Sequence, residues 1–208
     1  MTERSGFNVK LSIMTKGEET RQFIIEQSAT VFNVKGIAAT AMSDVMEATK
    51  LSKGSLYVHF ENKEVLAAAV VEHNMDQLGE KIFGAIAKEK TAKAKLIAYI
   101  NVLSDAINPP VKGGCPIMNF GMEADDTNQS LRKNINSRIE HVVKTITEII
   151  KKGTKNGEFK PGWNAREFAT LMFASIEGGI MMSRVAGQNI SMGLIARQLE
   201  KIIDEHAA

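Results

Sequence analysis

Cysteine and proline are scarce in this chain, and long apolar runs are absent. The single cysteine among 208 residues, Cys115, excludes an internal disulfide framework and favours a reducing compartment, so we expect a cytoplasmic protein. No apolar run approaches the roughly 20 residues that a membrane-spanning helix needs. The segment from Met1 to Met14 lacks the continuous apolar stretch of a signal peptide.

Charge of one sign is also missing. The net charge is +2, and up to Leu66 eight lysine and arginine residues face eight acidic residues. Any contact with a polyanion must therefore depend on where the basic side chains lie and not on bulk charge.

The sequence contains little that would indicate an enzyme. The four histidines are scattered without metal-ligand spacing to Cys115 or to a carboxylate pair. There is no glycine-rich phosphate loop and no nucleophile elbow. We therefore expect no catalytic residue, no metal and no cofactor.

The periodicity is helical almost throughout, which predicts an all-α fold of about nine helices. Thr15 begins the first helix with a capping box, and Ser52 and Asn62 are predicted to cap the third and fourth. The Asp125–Asp126 pair is expected to start a later helix, and Ser191 to cap the last one.

Two short helices, from Thr40 or Ser43 to Lys50 and from Lys53 to His59, are too short to be stable alone and must pack on neighbours. In the second, Leu56 and Phe60 are spaced to face inward. The residues left outside carry hydrogen-bond donors, and Gly54 keeps the start of the helix slim. That composition suits a helix that enters the major groove of DNA.

At these residues the chain resembles a known family. Thr40–Leu66, and above all the segment SKGSLYVHFENKEVL that starts at Ser52, resembles the DNA-binding signature of the tetracycline-repressor (TetR) family. With Phe32 and Gly36 of the preceding helix, the resemblance covers roughly a quarter of the chain. It implies a homodimer with two recognition helices in successive major grooves and an effector pocket in the C-terminal part.

The resemblance also implies site residues. They would supply hydroxyl groups near the DNA backbone, contacts in the groove and, from the fourth helix, a contact to a phosphate. The residues expected to make these contacts are Thr40, Ser43, Ser52, Lys53, Gly54, Ser55, Tyr57, His59 and Lys63. Two departures stand out. Lys50 replaces the usual turn glycine, which predicts a non-glycine residue at positive φ. Ala41 and Met42 replace residues that are often polar, which predicts fewer phosphate contacts.

The C-terminal part offers weaker patterns. Apolar and polar candidates for an effector pocket are Tyr99, Leu103, Cys115, Met118, Met122, Phe173 and Glu177. Cys115 has two interpretations: a small buried core residue, or a thiol that senses electrophiles or oxidants. The segment GCPIMNFGME also resembles segments in branches of the family that include electrophile sensors.

Small residues in the eighth helix predict close helix packing, either across a dimer interface or within one chain. The predicted interface residues are Ala174, Ser175, Gly178, Gly179 and Met182.

The resulting hypothesis has a DNA-binding domain at 1–62, with a short N-terminal arm, and an effector-binding and dimerisation domain at 63–208. The function is that of a transcription regulator, a repressor released from a palindromic operator by a small apolar or electrophilic effector. Two alternatives remain open: a DNA-binding protein that ignores ligands, and a helical binding module that has lost DNA binding.

Overall fold

The computed structural model describes residues 14–208, so the predicted N-terminal arm lies almost wholly outside the described residues. Within that range the fold is all-α with nine helices, as predicted. None of the described helices is long and apolar enough to cross a membrane. The helices are α1 (Lys16–Lys35), α2 (Met42–Thr49), α3 (Lys53–His59), α4 (Lys63–Lys88), α5 (Ala92–Leu103), α6 (Pro116–Ala124), α7 (Gln129–Lys155), α8 (Ala165–Ala186) and α9 (Ile190–Glu205).

Helix starts follow local side-chain chemistry. Thr15 and Glu18 form the predicted capping box of α1, and Ser52 and Asn62 accept hydrogen bonds from backbone N–H groups of α3 and α4. These caps satisfy donors that the first helical turn leaves unpaired, which is why they could be predicted from sequence.

Two predicted starts are wrong. Helix α7 begins one turn after Asp125–Asp126, because Asn128 supplies the cap by accepting from the N–H of Leu131. Helix α9 begins at Ile190, before Ser191, and its N-cap Asn189 makes no side-chain cap. The amide of Asn189 instead bonds the backbone N–H of Ala106 and the carboxylate of Asp105, which are distant in sequence.

The N-terminal helices share one core with the start of α4. Helix α1 packs against α2, α3 and α4, and Ile24 and Phe32 of α1 are fully buried there. Leu56 of α3 and Leu66 of α4 complete the same core. Burial of these side chains holds α2 and α3 in place, because each is too short to be stable alone.

Helix α4 continues into the C-terminal part, where it packs against α5 and α6, while α7 packs against α8 and α8 against α9. Helix α4 contacts both parts of the molecule, so its packing does not divide the chain at residue 62. The predicted domain boundary there stays a prediction. Gly153 of α7 permits a close approach: a Cβ there would lie 2.5 Å from the Phe159 ring and 2.6 Å from the Cβ of Ala92.

Candidate nucleic-acid interface and effector region

Helix α3 is fixed by its two apolar residues. Leu56 and Phe60 are buried, and the guanidinium of Arg21 on α1 lies 4.7 Å from the centroid of the Phe60 ring. At the other end, the Oγ of Ser52 accepts from the N–H of Ser55 at 3.2 Å. The helix therefore has one inward face and one outward face that cannot exchange.

The outward face of α3 carries most of the predicted DNA-contact residues. Lys53 Nζ lies 5.8 Å from the ring centroid of Tyr57, and His59 is half-buried. Val58 is 80% exposed, and it was not among the predicted contact residues. The sign of its exposure in the sequence is that this apolar residue lies outside the Leu56–Phe60 spacing. An exposed valine can contact the methyl group of thymine. On α3 and at its N-cap, the predicted residues that are exposed are Ser52, Lys53, Gly54, Ser55 and Tyr57.

The turn between α2 and α3 has the strained backbone that the sequence predicted. Lys50 adopts φ 59° and ψ 20°, and among the described residues it is the only non-glycine at positive φ. Its backbone N–H donates to the carbonyl of Met46 and closes α2. Ser43, on α2, is exposed.

Thr40 is not placed as expected. Its side chain is fully buried, and its hydroxyl donates to the carbonyl of Gly36 at 2.6 Å. A buried hydroxyl that is already committed within the protein cannot reach a phosphate, so the expected backbone contact of Thr40 is corrected to a structural role at the end of α1.

Lys63 also makes contacts that differ from the expected phosphate contact. Its ammonium donates to the carbonyl oxygens of Ile37, Ala38 and Thr40 at 3.0, 3.3 and 3.2 Å. An ammonium has three N–H groups, so these bonds use its full donor capacity. In this structure Lys63 supports the loop between α1 and α2, and the expected phosphate grip is corrected accordingly.

Three of the predicted effector residues, Tyr99, Cys115 and Glu177, lie close together in the C-terminal part. Cys115, at the N-terminus of α6, donates its thiol hydrogen to Glu177 Oε1 of α8 at 3.2 Å. Burial is the main cause that raises the pKa of Glu177 to about 7, against the lowering effect of the Cys115 hydrogen bond. The buried Oε2 of Glu177 has no hydrogen-bond partner among the described residues.

The same environment acts on the neighbouring groups. Burial, and then the nearby Glu177 carboxylate, raises the pKa of the Cys115 thiol and that of the Tyr99 hydroxyl well above their usual values. A buried thiol with a raised pKa carries little thiolate, which is the reactive form. The geometry therefore favours the core interpretation of Cys115 over the sensor interpretation.

A narrow cleft of about 10 Å³, roughly the room that one water molecule needs, adjoins this cluster. Leu103 and Cys115 border it, together with Leu78, Val111 and Ile180 among others. Tyr99 is buried, and Met118 and Phe173 are partly buried. Met122 is 70% exposed on α6, so its expected place in a pocket is wrong for this conformation.

Comparisons with known proteins agree with this geometry. The family described as "Bacterial regulatory proteins, tetR family" matches residues 24–70, which include α2 and α3. The family described as "Tetracyclin repressor-like, C-terminal domain" matches residues 92–199, more than half of the chain.

The chain belongs to the TetR family.

A TetR-family transcriptional regulator from Cytophaga hutchinsonii is 37% identical, with a TM-score of 0.89 over 95% of this chain and 99% of that one. A TetR transcriptional regulator from Chloroflexus aurantiacus is 36% identical, with a TM-score of 0.89 over 93% and 98% of the two chains. The transcriptional repressor DhaR of a Mycobacterium species is 26% identical over 79% of this chain and 82% of its own. These relatives and the fold are those of TetR regulators and not of enzymes.

The C-terminal helices of this TetR-family chain leave an apolar face open. Val185 of α8 is 86% exposed, and exposed apolar residues repeat along α8 and α9. Of the predicted interface residues, Ala174 and Met182 are exposed, and Ser175 and Gly178 are partly buried. The exposed apolar residues that the sequence did not predict for this face are Leu171, Met181, Val185, Ile190 and Leu194.

Gly179 does not belong to that face. It is buried, and a Cβ there would lie 2.8 Å from Met192 Sδ and from Ile195 Cδ1 of α9. Close packing within the chain explains this glycine, so its expected interface role is wrong.

Proposed function

We propose that this TetR-family regulator is a homodimeric repressor that binds a palindromic operator and releases it when a small molecule binds the C-terminal part. The observation that carries the proposal is the outward face of α3, where Lys53, Ser55 and Tyr57 present donors from a helix fixed by buried anchors. Such a face supports base and phosphate contacts in the major groove. Because its proposed partner is DNA, we propose that the protein acts in the cytoplasm.

The apolar face of α8 and α9 supports the dimer. Exposed apolar side chains that repeat along the helices of a folded chain favour an interaction surface. A second copy would bury the row symmetrically and would hold two α3 helices about 34–36 Å apart, the spacing of successive major grooves.

The effector is proposed to be a small, mainly apolar molecule with a hydrogen-bond donor. The narrow cleft beside Cys115 is bordered by the apolar side chains of Leu78, Leu103 and Ile180, which would suit an apolar body once the cleft widens. The unpaired Oε2 of Glu177 lies in the neighbouring cluster and would accept from a donor once the pocket opens. An electrophilic effector is the second candidate, but the raised pKa of the Cys115 thiol disfavours it.

Selection from random duplexes tests DNA recognition. We expect an enriched palindrome, bound with strong salt dependence, whose affinity falls when a base contact of roughly 1–3 kcal/mol is removed by Lys53→Ala or Tyr57→Ala. Lys155→Ala removes an exposed lysine of α7 and is the matched control. If no palindrome is enriched while the protein is folded and dimeric, the helical binding module is the correct alternative. If an operator is found but a broad thermal-shift screen stabilises nothing, the ligand-blind alternative is correct.

A further inference from the structure

Polar residues recur every four positions along one side of α6. They are the N-cap residue Cys115, then Asn119 and Glu123, and each bonds a different part of the molecule. Residues at i, i+4 and i+8 lie on one helical face. Cys115 bonds α8 through Glu177, whereas Asn119 bonds the end of α1 and Glu123 bonds the loop between α1 and α2.

Asn119 ties α6 to the end of α1. Its Nδ2 donates to the backbone carbonyl of Asn33 at 2.9 Å and to the Asn33 side-chain oxygen at 3.1 Å. The amide of Asn33, which is buried, donates in turn to the carbonyls of Lys112 and Gly114 just before α6. Gly113 must stay small, because a Cβ there would lie 2.9–3.0 Å from Asn33.

Glu123 holds the loop that leads from α1 to α2. Its two carboxylate oxygens accept from the backbone N–H groups of Ile37 at 2.7 Å and Ala38 at 2.5 Å. Lys63 of α4 holds the carbonyl oxygens of the same loop. Gly36, at φ +83°, lets the carboxylate approach, since a Cβ there would lie 2.9 Å from Glu123 Oε2. The loop is thus held between an anion from α6 and a cation from α4.

We propose that Glu123 is a positioning residue for DNA recognition: by holding Ile37 and Ala38 it fixes the loop that leads to α2 and α3, and so the placement of the recognition helix. Hydrogen bonds to a charged group are stronger than neutral ones, so α6 and the loop move together. This role of Glu123 rests on the proposed function.

Glu123→Gln tests the proposal in the full-length dimer, because it keeps the size of the side chain and replaces one of the two acceptors by an N–H donor. Glu80→Gln on α4 changes the same charge at an exposed position and is the control. The probes are the palindrome enriched by the unaltered protein and a scrambled duplex of equal length. Two quantities are measured: affinity for both duplexes, and hydrogen exchange of the backbone amides of Ile37 and Ala38.

We expect Glu123→Gln to speed exchange at both amides and to lower affinity for the palindrome about fivefold or more, with affinity for the scrambled duplex equal to that of Glu80→Gln. An equal loss on both duplexes, or no loss relative to Glu80→Gln, overturns the proposal. If Glu123→Gln does not fold, Glu123→Asp, which keeps the charge but shortens the side chain, is judged by the same criteria. If no duplex is enriched, the proposed function has failed, and unchanged amide exchange would separately overturn the role of Glu123. A protein that ignores ligands leaves this comparison intact.

Discussion

The buried carboxyl group of Glu177 should make the stability of the fold depend on pH. Its pKa is raised from the usual 4.5 to about 7 in the folded chain, mainly by burial. One pKa unit corresponds to about 1.36 kcal/mol, so the full shift is equivalent to about 3 kcal/mol in the free energy of unfolding.

The sign follows from which state keeps the proton. Below pH 4.5 the group is protonated in both states. As the pH rises from there to about 7, the unfolded chain releases the proton while the folded chain retains it, so unfolding becomes easier. Above that range both states are ionised and the loss is complete. Between pH 5 and pH 8 the loss should amount to about 2–3 kcal/mol.

Urea unfolding of the intact protein and of Glu177→Gln at pH 5 and pH 8 measures this effect. The difference in unfolding free energy between the two proteins should shift by about 2–3 kcal/mol in favour of the glutamine variant at pH 8. Protein concentration must be held constant, because the proposed dimerisation would add to apparent stability. Glu80→Gln, which is exposed, should show no such shift. A pH-independent difference between Glu177→Gln and the intact protein would refute the reasoning.

Three further outcomes are expected. Lys50→Gly should raise the free energy of unfolding by about 1 kcal/mol in a denaturant titration, because Lys50 sits at φ 59°; a loss of stability would contradict the strain. Cys115 should react slowly with a thiol reagent at pH 7 until the protein unfolds, since it is 4% exposed; complete labelling of the native protein within minutes would revive the sensor interpretation. Val185→Asp should weaken the dimer at least about tenfold in sedimentation, whereas Val34→Asp on α1, also exposed, should not; equal effects would place the interface elsewhere.

The parts of the fold that could be predicted from sequence are those set by local chemistry. Caps such as Thr15 and Asn62 act on backbone groups three residues away, so their spacing is visible in the chain. The inward pair Leu56 and Phe60 follows from helical periodicity alone. Lys50 at positive φ was predicted from the resemblance, because the turn requires that backbone whichever residue occupies it.

The errors arise where a partner distant in sequence takes the side chain. Lys63 was expected at a phosphate, but carbonyl oxygens 23 to 26 positions earlier take its donors. Gly179 was assigned to a dimer contact, but α9 of the same chain packs on it. Glu123 gave no local signal for its bonds to Ile37 and Ala38, which lie about 85 positions away. Periodicity cannot reveal such contacts.

The length of α4 has a mechanical consequence. With 26 residues at 1.5 Å of rise each, it is a rod of roughly 39 Å that runs without interruption from the DNA-reading helices into the C-terminal bundle. A tilt of only about 5° at one end displaces the other by about 3 Å, comparable to the rise of a single base pair. Under the proposed function, modest repacking around a small molecule would therefore be enough to put the two recognition surfaces of a dimer out of step with the grooves.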